Sequence, residues 1–189
     1  MNKIPIEVSA RHMHLSKSDL EKLFGRGYEL KKLKDLSQPG EFAAEESVDI
    51  EGPKGKIEKV RIIGPIRKNT QVEISKTDGY KIGTMPPVRV SGNIKDTPGI
   101  KLIGPEGEVE LAEGLIAAQR HIHMTSADAD KFVVQNLQIV SVKVEGERGL
   151  VYNNVICRVR DNFQLSFQID TDEANAGGVK NLDIGELIV

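Results

Sequence analysis

The sequence contains no tryptophan, and phenylalanine and tyrosine bring the aromatic fraction to only 4% of 189 residues. Few aromatic rings are available to stack on bases, and the net charge of −2 offers no positive excess for a phosphate backbone. No apolar run approaches the roughly 18 residues that a membrane-spanning helix needs. The composition therefore predicts neither a nucleic acid nor a membrane as a partner.

Cysteine is also nearly absent. Cys157 is the only one, so no disulfide can form within the chain. Its strand-like surroundings favour a buried apolar role over that of a nucleophile. The first residues lack the apolar stretch of a secretory signal. These features together predict a cytoplasmic protein.

The chain does contain a long-range repeat. Residues 11–16 read RHMHLS, and residues 120–125 read RHIHMT. In each copy the final Ser or Thr is followed three residues later by an aspartate, which is typical of a helix N-cap. Each copy therefore predicts a strand, a cap and a short helix. The repeat indicates that the protein arose by an internal duplication.

Most of the remaining chain alternates apolar and polar residues over short segments, as β-strands do. Two Gly-Pro-x-Gly segments, at 52–55 and 104–107, have turn chemistry and predict β-hairpins. We therefore predict a mainly β fold of two small β-barrels, each capped by short α-helices. The predicted first barrel combines residues 1–45 with 119–189, and the predicted second barrel takes residues 46–118.

All four histidines lie in two His-x-His pairs, His12 with His14 and His121 with His123. Alternate residues of a strand point to the same face, so the two imidazoles of a pair can converge on one ion. Imidazole is a common ligand of zinc, and one cysteine is too few for a closed structural zinc site. The pairs therefore predict a catalytic metal centre with open coordination positions.

Several motifs in order carry a resemblance to a known family over nearly the whole chain. They are residues 8–16 (VSARHMHLS), 36–43 (LSQPGEFA), 70–75 (TQVEIS), 86–92 (PPVRVSG), 120–124 (RHIHM) and 169–176 (IDTDEANA). The sequence resembles the phosphate propanoyltransferases, the PduL-type phosphotransacylases known from bacterial microcompartments.

The resemblance implies a homodimeric enzyme that interconverts acyl-CoA plus phosphate with acyl phosphate plus CoA, the acyl group being propanoyl or acetyl. Phosphate would attack directly at a two-zinc site between the barrels. Arg67 would grip the phosphate, and Ser91 lies in the loop that also meets it. The implied zinc ligands are His12, His14 and Glu73 for one ion, and His121 and His123 for the other.

The sequence departs from the family pattern at Gln168, where the family has a histidine that completes the second zinc site. An amide oxygen is a weaker zinc ligand than imidazole. This departure leaves two alternatives open beside the acyltransferase. One is a metal-dependent thioester hydrolase, and the other is a non-catalytic zinc-binding scaffold protein.

Family members that enter microcompartments carry an extra amphipathic segment at the N-terminus. In this sequence the first predicted strand begins almost at Met1. The resemblance therefore predicts a cytoplasmic enzyme.

Overall fold

The computed structural model describes residues 2–189. The predicted mainly β fold with short helices is confirmed, with 45% strand and 15% helix. The chain forms two compact units. Met1–Ala10 and Gln119–Val189 make the closed-barrel unit, whose six strands close into a barrel. Arg11–Ala118 makes the open-sheet unit, in which the second predicted barrel takes the form of a curled half-barrel sheet.

The strands and helices are short and follow one another closely. In chain order the strands are β1 (Lys3–Ser9), β2 (His12–His14), β3 (Lys32–Asp35), β4 (Phe42–Gly52), β5 (Gly55–Gly64), β6 (Gln71–Glu73), β7 (Val88–Arg89), β8 (Ile100–Ile103), β9 (Glu108–Leu111), β10 (Leu115–Ala118), β11 (His121–Met124), β12 (Ile139–Val144), β13 (Leu150–Val159), β14 (Ser166–Asp170) and β15 (Ile184–Ile188). The helices are α1 (Lys17–Phe24), α2 (Lys76–Ile82), α3 (Ser126–Phe132) and α4 (Thr171–Gly177). Among the described residues, no helix has both the length and the apolar character needed to cross a membrane.

The division into units differs from the predicted domains at residues 11–45. In the structure these residues belong to the open-sheet unit. The reason is packing, because Met13 and Leu20 are buried in the same apolar core as Ile62 and Val72. The first His-x-His strand also pairs with β5 and β6 of that unit.

A module of strand, cap and helix occurs four times, twice in each unit. Each strand runs to a polar N-cap side chain that accepts the backbone N–H three residues later, which satisfies an otherwise exposed donor. The caps are Ser16, Ser75, Thr125 and Asp170. That third residue is acidic in every module, and its negative charge interacts favourably with the positive end of the helix dipole. The two modules predicted from the sequence are confirmed, and two further ones are present.

The two units share one strand order. In the closed-barrel unit it is β1-β14-β11-β13-β12-β15, with β15 returning to β1. In the open-sheet unit it is β10-β6-β2-β5-β4-β8, with β7 and β9 added at the ends and β3 beside β4. Each neighbouring pair has the same direction in both units, beginning with a parallel pair and then an antiparallel one. This correspondence is the structural trace of the internal duplication.

Both predicted Gly-Pro-x-Gly hairpins are present, and each turn lies against the end of a helix. The backbone N–H groups of Lys54 and Glu106 donate to the carbonyl oxygens of Ile82 and Leu23, both at 3.0 Å. A Cβ atom on Gly52 would lie 2.5 Å from the Ile82 oxygen, so the close approach requires glycine. The turns therefore tie α1 and α2 to the sheet.

The residue between the two histidines of each pair is apolar and fully buried. Met13 belongs to the core of the open-sheet unit, and Ile122 to that of the closed-barrel unit. Because successive residues of a strand point to opposite faces, the histidines lie on the face of each sheet that is turned away from its core.

Candidate active site

Three of the predicted metal ligands meet on β2 and β6 of the open-sheet unit. In this antiparallel pair His12 lies opposite Glu73, and His14 lies opposite Gln71. The His12 Nε2 atom is 3.6 Å from Glu73 Oε2, and the His14 Nε2 atom is 4.0 Å from Glu73 Oε1. One ligand atom from each of the three residues lies within 4.8 Å of the others, close enough to hold one metal ion.

His14 is prepared to act as a neutral ligand. Its Nδ1 atom lies 3.1 Å from the backbone oxygen of Ile63. A carbonyl can only accept, so Nδ1 carries the proton and Nε2 keeps its lone pair. Burial, followed by the charges of His12 and Arg67, lowers the pKa of His14 to about 3. The imidazole is therefore neutral at physiological pH, which is the form that binds metals.

Glu73 is held in place by its neighbours. The Gln71 amide donates to Glu73 Oε1 at 2.6 Å, and the Ser91 hydroxyl donates to the same oxygen at 2.8 Å. The Gly92 N–H donates to Gln71 Oε1 at 2.8 Å and fixes the orientation of that amide. Such contacts orient a carboxylate toward a metal. The structure thus places the Ser91 hydroxyl on Glu73, and the predicted role of Ser91 in meeting phosphate stays a prediction.

The chemistry of this donor set fits a catalytic zinc site. Two imidazole nitrogens and one carboxylate oxygen are a known ligand set of catalytic zinc, and three protein ligands leave a position open for substrate. His12, His14 and Glu73 are each less than 10% exposed, so they are shielded from bulk water. These three residues could hold the metal.

Arg67 lies beside this set, next to the point where β2 leads into the Ser16 cap. Its backbone N–H donates to the Leu15 oxygen at 2.9 Å, and it forms an isolated bridge with Ser16. Its Nη2 atom donates to Glu41 Oε1 at 3.1 Å. A cleft of about 250 Å³ opens at Arg67 and reaches the Gln71 that holds Glu73. The cleft is lined by Arg67, Lys68, Asn69, Gln71, Gly92 and Ile94.

The second predicted set lies in the closed-barrel unit, on β11 and β14. His121 lies opposite Gln168, and His123 lies opposite Ser166. The two imidazole centroids are 4.6 Å apart. The His121 Nδ1 atom lies 2.8 Å from the backbone oxygen of Gln119, so Nε2 carries the lone pair. The ring of His123 packs on Phe163, with centroids 4.1 Å apart.

Gln168 is engaged with other side chains of its unit. Its amide nitrogen donates to Glu7 Oε2 at 2.5 Å and to the Ser166 hydroxyl oxygen at 2.9 Å. Among residues 2–189, only the set in the open-sheet unit brings three His, Cys, Asp or Glu ligand atoms within 4.8 Å of one another. The structure therefore brings His121 and His123 together, but it does not assemble a third such ligand with them.

Comparison with known proteins decides the family. A sequence model described as "Phosphate propanoyltransferase" matches residues 5–180. The chain belongs to the phosphate propanoyltransferase family. The chain is 53% identical to the phosphate propanoyltransferase of Thermotoga maritima, over 98% of this chain and 87% of that protein. It is 55% identical to the one from Priestia megaterium, over 98% and 86%. The predictions of the family and of an acyltransferase enzyme are confirmed.

Sequence reasoning missed three polar residues beside the candidate ligands: Gln71 in the open-sheet unit, and Ser166 and Glu7 in the closed-barrel unit. The modules contain a signal for the first two. In every module the residues two and four positions before the N-cap project to the same face as the histidines. Those positions hold His12 and His14, Gln71 and Glu73, His121 and His123, and Ser166 and Gln168. Glu7 carries no such signal, because only strand pairing brings it to Gln168.

The arginine that opens each Arg-His-x-His motif has a structural partner. The Arg11 Nε atom donates to Asp78 Oδ2, and the Arg120 Nε atom donates to Glu173 Oε1, both at 2.8 Å. Both acids are the third residue after a helix cap. The acidic segment that begins at Asp170 is thus the capped start of α4, and its side chains make the capping box.

Proposed function

We propose that this chain transfers an acyl group between coenzyme A and inorganic phosphate, with zinc held by His12, His14 and Glu73. The single observation that carries the proposal is this assembled set beside a cleft that contains Arg67 and Lys68. Family membership supports the reaction, and the ligand set supports the metal. When bound, zinc would supply Lewis-acid polarisation of the thioester carbonyl and a position for the leaving sulfur.

The residues of the cleft bind the phosphate. The guanidinium of Arg67 has five N–H donors, and the contact with Glu41 uses only part of them. The remaining donors can grip two phosphate oxygens, while Lys68 adds positive charge. This binding places a phosphate oxygen near the thioester. The new bond joins that oxygen to the carbonyl carbon, the C–S bond breaks, and CoA leaves as a thiolate.

Gln71 and Ser91 keep the site rigid during this exchange. Both donate to Glu73 Oε1, so the carboxylate cannot rotate away from the two histidines. Because Gln71 also lines the cleft, it connects the anion site with the metal ligands. Preorganised groups of this kind lower the reorganisation that the reaction needs.

Three further parts of the function are proposed on the resemblance. They are a second metal at His121 and His123, a homodimer and a cytoplasmic location. The homodimer and the cytoplasmic location rest on the resemblance alone.

The test is thiol release from acetyl-CoA and propanoyl-CoA by zinc-loaded protein, with and without phosphate. We expect release that depends on phosphate and yields an acyl phosphate, which hydroxylamine converts to a hydroxamate. Release without phosphate would favour the hydrolase. Bound zinc with no release from either substrate would favour the scaffold protein. Protein stripped of metal with a chelator is the control, and it should be inactive until zinc is returned.

A further inference from the structure

A row of three polar side chains crosses the outer face of the closed-barrel unit. Glu7 on β1 pairs with Gln168 on β14, and Gln168 pairs with His121 on β11. Residues that are directly paired point to the same face of a sheet. The carboxylate, the amide and the imidazole therefore stand side by side on three neighbouring strands.

The equivalent row of the open-sheet unit has a different composition. There Ile116 on β10 pairs with Glu73 on β6, and Glu73 pairs with His12 on β2. The shared strand order makes Glu73 the counterpart of Gln168, and Ile116 the counterpart of Glu7. Each row therefore contains one carboxylate, but in the closed-barrel unit it lies one strand farther from the histidines.

The Gln168 amide, in the middle of this row, binds the Glu7 carboxylate at one end of it. Its nitrogen donates to Glu7 Oε2 at 2.5 Å and to the Ser166 oxygen at 2.9 Å. An amide nitrogen that donates its protons has no lone pair for a metal. The contact instead holds the Glu7 carboxylate on the face that carries His121. Gln168 is thus placed as a support for Glu7.

We propose that a divalent metal ion at His121 and His123 takes the Glu7 carboxylate as its anionic ligand, and that Gln168 is a positioning residue for this carboxylate. The inference deepens the proposed function, because it assigns the ligands of the second metal. Adjacent strands lie about 4.8 Å apart, so the backbone of Glu7, two strands away, lies about 10 Å from the backbone of His121. The half-buried Glu7 side chain must therefore turn toward the histidines to close the site. Such a site binds metal more weakly than the assembled set of the open-sheet unit.

The experiment isolates the second site in the full chain. A His12→Ala/His14→Ala variant loses the first set, and its titration with Co²⁺ is followed by visible absorption, with Zn²⁺ as competitor. We expect one ion per chain. Adding Glu7→Gln should weaken binding at least about tenfold, the scale of losing a contact that orients a ligand. Glu186→Gln, an exposed acid of β15 in the same unit, is the matched control and should change nothing.

A compensating variant separates ligation from a general structural role. Gln168→His, added to Glu7→Gln, adds a third imidazole to those of His121 and His123 and should recover most of the lost affinity. Undiminished binding in the Glu7→Gln variant would overturn the proposal, and so would a His12→Ala/His14→Ala variant that binds no ion. If that double variant does not fold, competition with a chromophoric chelator measures the affinity for each ion on the otherwise unchanged chain. There Glu7→Gln should weaken the binding of the second ion at least about tenfold and leave the first unchanged, and two unchanged affinities would overturn the proposal.

The metal readout is independent of catalysis. A chain that binds two ions, binds the second more weakly with Glu7→Gln and never transfers an acyl group would contradict only the proposed function. A chain that transfers the acyl group but keeps both metal affinities with Glu7→Gln would contradict only this inference.

Discussion

The open-sheet unit and the closed-barrel unit place a His-x-His strand at the same point in the same strand order, but they surround it with different groups. Beside His12 the neighbouring strand offers a carboxylate, whereas beside His121 it offers the amide of Gln168. The first set is assembled within 4.8 Å, and among residues 2–189 it is the only such cluster. The duplicated scaffold thus fixes the positions from which side chains can act as ligands, and single residues decide which potential ligands each copy presents.

The histidines offer the largest test of this difference. We expect His12→Ala to lower the rate of phosphate-dependent thiol release by about three orders of magnitude, because Lewis-acid polarisation contributes several kcal/mol. His121→Ala should cause a smaller loss, since its set is incomplete until Glu7 turns toward it. Initial rates at saturating zinc measure both variants, and circular dichroism checks that they fold. Equal losses in the two variants would show that the units contribute alike.

Arg67 and Arg160 occupy equivalent positions in the two units and extend the comparison to phosphate binding. Like Arg67, Arg160 donates its backbone N–H to the residue after the second histidine, here the Met124 oxygen at 3.0 Å. Its guanidinium, however, lies 5.5 Å from the ring centre of Phe163. We expect Arg67→Ala to raise the KM for phosphate about 10- to 100-fold, the loss of a charge-assisted hydrogen bond. Arg160→Ala is the matched control and should leave that KM unchanged.

Initial rates over a phosphate series measure both KM values. An Arg67→Ala enzyme with the natural KM for phosphate would remove Arg67 from the anion site. If only the Arg160→Ala enzyme had a raised KM for phosphate, the phosphate site would lie in the closed-barrel unit.

Two serines provide a finer test. The Ser91 hydroxyl donates to Glu73, whereas the Ser166 oxygen accepts from Gln168. We expect Ser91→Ala to weaken zinc binding about tenfold, because the ligand carboxylate loses a donor that orients it. Ser166→Ala should have a smaller effect, since the Ser166 oxygen supports Gln168, which in turn positions Glu7. Zinc competition with a chromophoric chelator measures both affinities, and a larger loss for Ser166→Ala would contradict this order.

Local patterns explain what could be predicted from the sequence. The His-x-His strands, the Ser16 and Thr125 caps and the two turns depend on residues a few positions apart, and the structure contains all of them. The caps at Ser75 and Asp170 carry the same Ser/Asp-x-x-acid signal and could have been found with it. The contact of Gln168 with Glu7 could not, because it depends on the pairing of β1 with β14. The placement of residues 11–45 likewise depends on which core buries their apolar side chains.

The smallest expected effect concerns the only cysteine, which reports on the closed-barrel unit alone. Cys157 is fully buried in the core of that unit, and burial raises the pKa of its thiol to about 11. Because the thiolate reacts and the thiol does not, labelling of the folded protein should be slow at pH 7. Labelling should be far slower than in the denatured chain, because a fully buried thiol reacts only when the barrel opens. A disulfide reagent that releases a coloured thiol measures this rate by absorbance, and the Cys157→Ser variant is the blank. A rate close to that of the denatured protein would mean that the thiol is exposed and that the closed barrel opens more readily than its packing indicates.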